Sequence, residues 1–122
     1  MTDWQAVRDH VAVHVMGYRV QHDIDPIHGP FADYYDSSGR FVMDVDNWQP
    51  DLSWHEVGMV IEAMKGRYTL IARMLANGDA TASVYDPKTA NSLANCGRGS
   101  SLTFPQAVTL AAAYATEYEE TT

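Results

Sequence analysis

The run Gly97-Arg98-Gly99-Ser100-Ser101 combines the residue types best suited to chemistry in this chain. Two glycines let backbone amides curl around an anion, Arg98 offers a bidentate cation, and the serine hydroxyls add donors. The run stands just ahead of a helix-forming segment. It lacks the lysine and spacing of a P-loop, and no strand-to-helix dinucleotide fingerprint surrounds it. Its plain alternative is a flexible polar loop. Tyr34, Tyr35, Trp48, Trp54 and Tyr85 are rings that could stack on a nucleobase. At helical or strand spacing such rings are more often core, and Trp54 is expected there. In the Tyr34-Tyr35 pair, strand alternation exposes one ring.

Other groupings point less clearly to a reaction. His10 and His14, four apart, share a helix face, but no Glu stands between them in the metalloprotease arrangement. A metal would need further ligands, from His22, Asp23, Asp25 or His28, and ordinary boundary histidines are expected instead. Asp23, Asp25, Asp33 and Asp36 lack calcium-loop spacing. Asp44, Asp46, Asp51 and Glu56 could suggest paired-carboxylate hydrolysis, but spacing alone cannot set two carboxylates ~5–9.5 Å apart. There is no nucleophile elbow. The single cysteine, Cys96, rules out an intrachain disulfide and a multi-cysteine zinc site. No enzyme, cofactor or metal is therefore expected.

Composition narrows the partners. Sixteen acidic against eight basic residues give a net charge of −8, the wrong sign for tracking a nucleic-acid backbone. The charge suits solubility, a basic protein partner, or a local anion pocket within an acidic shell. No apolar run approaches the ~20 residues that span a bilayer. The first residues lack the basic flank and apolar stretch of a signal peptide, so a cytoplasmic location is expected.

Three helices must carry these groups. Thr2 with Gln5, Ser53 with Glu56, and Thr103 with Gln106 each fit a capping box, and Leu52 can staple onto Val57. The helices are expected over residues 3–16, 54–65 and 104–118, with Gly17 and Gly66 as stops. The inward stripes are Trp4, Val7, Val11 and Val15; Trp54, Val57, Val60, Ile61 and Met64; and Phe104, Ala107, Val108, Ala111 and Tyr114. Asn77-Gly78 predicts a two-residue hairpin in which Leu70 faces Tyr85, Ala72 faces Ser83 and Ile71 faces Val84. Another strand is expected at 40–46, with 31–35 as its hairpin mate. Outside that mate, residues 20–36 and 86–102 resist assignment, and long loop-like stretches of this kind are where function is expected. The expected architecture is α+β: one domain over residues 1–122, three helices layered on a mostly antiparallel sheet of three or four strands, and a frayed tail from about residue 119.

The order of these features is similar to that of the bacteriophage proteins grouped as the phage ABA-sandwich domain. The resemblance rests on "VMGYRV" closing the first helix, "DNWQPDLSWHEVGMVIEAM" opening the second, the hairpin, and "SSLTFPQAVTLAAAYA" as an alanine-rich last helix. Where the family commonly reads Pro-Ser-x-Asp, this chain has Pro50-Asp51-Leu52-Ser53. The family offers no catalytic residues to transfer. Its phage setting implies an accessory protein that counters host defence. One form would be a homo-oligomer capturing a small phosphate-bearing ligand, such as a nucleotide immune signal, on Gly97–Ser101 with Tyr34 or Tyr35 over the base. The other would be an acidic inhibitor docking on a basic host defence protein, such as a nuclease.

Overall fold

A computed structural model describes residues 2–120. Helix α1 covers Trp4–His14 and α2 covers Trp54–Met64; α3 covers Phe104–Ala115. Strands β1 (Arg19–Asp25), β2 (Gly29–Tyr35) and β3 (Phe41–Asp44) lie between α1 and α2. Strands β4 (Thr69–Met74), β5 (Ala80–Tyr85) and β6 (Ser92–Cys96) lie between α2 and α3. They form two three-stranded antiparallel sheets, ordered β1-β2-β3 and β4-β5-β6. The class is α+β, with more strands than the three or four expected. β1 and β6 come from the two stretches left without an expected element, where turns at 26–28 and 86–91 join them to β2 and β5.

Helix α3 is the axis of the molecule. Pro105 and every residue from Ala107 to Ala113 is buried, so the helix has no solvent face along its middle. It packs on β4, β5 and β6, and it also touches α1 and α2. Its alanines make this possible, since small side chains let neighbours approach from every side. The core it organises is a single cluster running from Val7 and Val11 through Trp48, Val60 and Val84.

Local chemistry fixes where the helices start. Thr103 accepts from the Gln106 amide while the Gln106 side chain accepts from the Thr103 amide, a complete capping box. Ser53 accepts from the Glu56 amide, but Glu56 turns away and accepts from the Gln49 amide at 2.8 Å. Leu52 stays 61% exposed, so the expected staple onto buried Val57 does not form. At α1 the cap is Asp3 rather than Thr2: its carboxylate accepts from the Ala6 amide. A carboxylate beside the positive end of the helix supplies both hydrogen bond and charge complementarity, which a hydroxyl one residue earlier does not.

Helix α3 stops at Ala115, short of the expected 118. Glu117 takes φ +69°, and the amides of Glu117 and Tyr118 return to the Tyr114 and Ala113 carbonyls. That is a Schellman closure, built on a non-glycine residue. Of the tail expected to fray, Thr121 and Thr122 lie outside the described residues.

Candidate functional site

The hairpin register decides which face of the β4-β5-β6 sheet carries chemistry. Leu75 and Asp79 close a three-residue loop, with Gly78 at φ +91°. This is the three-residue connection with a left-handed last position, not the two-residue turn expected from Asn77-Gly78. Leu70 therefore faces Val84, Ile71 faces Ser83, Ala72 faces Ala82 and Arg73 faces Thr81. One residue of slip exchanges every side chain between faces. The observed register gathers Leu70, Ala72, Ala82 and Val84 toward α3. The expected one would have set Arg73 among Ala80, Ala82 and Val84, burying a guanidinium without a partner.

The opposite face is open and forms a groove of about 410 Å³. At its hairpin end Arg73 and Thr81 are paired across β4 and β5, and Arg98 enters from the loop after β6. In the middle Ser83 pairs with Asn95, its hydroxyl donating to the Asn95 side-chain oxygen at 3.2 Å. Tyr85 stands at the far end. Ile71 on β4 and Leu75 just beyond its end, each 48% exposed, form the apolar wall. No carboxylate lines the groove, and neither arginine is in an ion pair among the described residues.

Residues 97–101 are pinned rather than loose. Gly97 has φ +93° and lies against β5: an added Cβ would strike the Ala80 carbonyl oxygen and sit 3.1 Å from the Thr81 Cα. The Ser100 amide donates to the Gly97 carbonyl, and the Ala80 amide donates to Leu102. Gly97 thus has a packing reason to be glycine. The Ser100 amide serves the turn instead of facing a ligand. Gly99, Ser100 and Ser101 project into solvent, and Arg98 alone of the five reaches the groove lining.

The tyrosines expected to cover a base are elsewhere. Tyr34 is fully buried, its hydroxyl donating to Asp9 at 2.9 Å and its ring 5.9 Å from that of Tyr18. Burial, reinforced by Asp9, pushes its pKa up, and a ring sealed in the core cannot stack on a ligand. Tyr35 is half-buried on the other sheet, edge-on to Phe41 at 6.0 Å. Neither lines the groove. Trp54 reverses its expectation in the other direction. It begins α2, 61% exposed, and stacks on Phe104 at 5.1 Å and 8° because its position in the first turn points to the start of α3.

The remaining candidates are structural. Asp51, 2% exposed, receives two hydrogen bonds from Arg8, at 2.7 and 2.9 Å, tying α1 to the entrance of α2. Beside that pair, the Trp48 indole donates to the Arg8 carbonyl at 3.0 Å. Asp44 accepts from the Asp46 amide, and Asp25 and Asp36 accept amides within their own turns. His10 and His14 lie 4.3 Å apart, with the His10 Nε2 on the Thr116 carbonyl and hydroxyl. No cluster of three or more metal-binding side chains occurs among the described residues. Burial pushes the Cys96 thiol up to about 11, which suppresses the nucleophilic thiolate.

A larger depression, about 740 Å³, runs along α2 beside Met16, Trp54, His55 and Met59. It is wide open and largely apolar, and its one charged neighbour is Glu62, so it offers an anion nothing. Tyr85 was legible as a ring. Arg73 was missed, although the apolar alternation of Ala80, Ala82 and Val84 along β5 already required its partner strand to turn Arg73 outward. No described helix is long and apolar enough to cross a membrane. No family model, curated protein or solved structure matches the chain.

Proposed function

We propose that this protein is a binding module without chemistry of its own, and that it captures a small phosphate-bearing ligand on the open face of the β4-β5-β6 sheet. One observation carries this: two of the eight basic residues, Arg73 and Arg98, line a single groove that no carboxylate enters, in a chain of net charge −8. Several of the other basic groups are committed, Arg8 to Asp51, Arg67 to the Val15 carbonyl and Lys65 to Glu62. Guanidinium groups suit phosphate because their planar fork matches two oxygens at once. Thr81, Ser83 and Asn95 supply neutral donors between the charged end and Tyr85.

The resemblance to phage ABA-sandwich proteins supplies the biological setting. In it, capture of a nucleotide signal would disarm host defence. The acidic surface is less suited to docking on a basic protein, because many carboxylates hold local turns and caps, among them Asp3, Asp25, Asp36, Asp44 and Asp86.

Isothermal titration with pyrophosphate and with nucleoside mono- and diphosphates tests the function. Saturable binding that falls about tenfold in Arg98→Ala and in Arg73→Ala, and weakens with salt, is expected. Both arginines are exposed, so neither change threatens folding. Binding that ignores both substitutions would defeat the assignment.

A further inference from the structure

We infer that the groove is ordered to take a nucleotide in one orientation, with phosphate between Arg73 and Arg98 and the base against Tyr85; this rests on the phosphate-binding reading above. The order follows from the strands. Arg73 pairs with Thr81, and Gly97, the residue before Arg98, packs on Thr81 from the other side. Arg73 therefore stands about 4.8 Å from Thr81 at the backbone on one side, and Arg98 follows one residue past Gly97 on the other, at the same end of the groove. Thr81, Ser83 and Tyr85 then follow along one face of β5. Four residues at ~3.3 Å each separate Thr81 from Tyr85 by about 13 Å.

An inorganic phosphate held by the arginines leaves Tyr85 untouched. A ligand that meets both ends must join a phosphate to a flat ring through a polar spacer. The middle of the groove offers hydroxyl and amide groups, with Ser83 already holding the Asn95 oxygen and so directing the Asn95 amide nitrogen to other acceptors. Sugar hydroxyls match that row. Ile71, paired with Ser83 on the neighbouring strand, lies diagonal to Tyr85 in the groove lining, which gives the base an apolar flank. Stacking of this kind tolerates any base. The groove thus selects for nucleotides as a class more than for one base.

Titration of the full chain with pyrophosphate, ribose 5-phosphate and adenosine 5′-monophosphate tests the inference. The nucleotide is expected to bind about tenfold more tightly than the sugar phosphate, an advantage of the size that base stacking supplies. Tyr85→Leu, which keeps an apolar residue on the strand, should abolish that advantage while leaving ribose 5-phosphate affinity unchanged. Tyr85→Phe should keep it. Equal affinity for the two ligands in the native chain, or an advantage that survives Tyr85→Leu, would overturn the orientation while leaving the phosphate site standing. Failure of all three probes to bind would remove the phosphate site as well.

Discussion

Two polar side-chain groups do most to set the behaviour of single residues here. Asp51 is buried with only Arg8 to satisfy it, and removing one partner of such a pair leaves a charge without compensation. Arg8→Ala is expected to cost about 3 kcal/mol in urea unfolding, while the double change Arg8→Met with Asp51→Leu recovers most of the loss. His10 titrates in the opposite sense to a salt-bridged histidine. Burial lowers its pKa first, and the neighbouring His14 lowers it further, against the Thr116 carbonyl that raises it. The unfolded chain then binds more protons than the folded one just below 6.5. Stability present above that pH is accordingly lost as the pH falls through the folded value. Urea midpoints between pH 7.5 and 5 should decline, and His10→Gln should flatten the decline. The sequence showed these residue types but not their partners. Arg8 and Asp51 are 43 positions apart, and no local pattern announces such a pairing.

Among the elements, the connections carry the information that the helices do not. Val7, Val11, Val57, Val60 and Met64 are buried where helical spacing put them, because a stripe at that period must face the core. The hairpin departs from its expected register by one residue because Asn-Gly favours the two-residue turn locally, while the demand to bury Leu70, Ala72, Ala82 and Val84 together favours the other register. Burial won over turn preference, and the groove exists because it did. Strand β1 gives little signal because none of its seven residues is fully buried, and β6 gives little because it turns only Ala94 and Cys96 inward. Glycines at the ends of these elements separate two effects. Gly78→Ala meets open space and only the strain of φ +91°, for a cost of about 1 kcal/mol. Gly97→Ala adds a collision with the Ala80 carbonyl, so it should cost about 2–3 kcal/mol and weaken phosphate binding by displacing Arg98. Glu117→Gly should do the reverse, gaining about 0.5 kcal/mol by relieving φ +69° at the end of α3. Thermal unfolding of the three variants ranks them.

At the scale of the molecule, a negatively charged chain keeps one groove free of carboxylates and equips it with two arginines. The surrounding field opposes an anion at long range, while the guanidinium groups attract it at contact. The α+β class was legible because helical and strand periods are properties of local sequence. The groove was not, since it joins side chains from β4, β5, β6 and the loop before α3 that only the sheet register brings together. Amide chemical shifts of the isotope-labelled protein during titration with adenosine 5′-monophosphate test this most directly. Perturbations confined to Ile71–Arg73, Thr81–Tyr85 and Asn95–Arg98, and reduced in Arg98→Ala, are the predicted result. Shifts centred on Trp54, His55 and Met59 along α2, or none at all at saturating ligand, would contradict it.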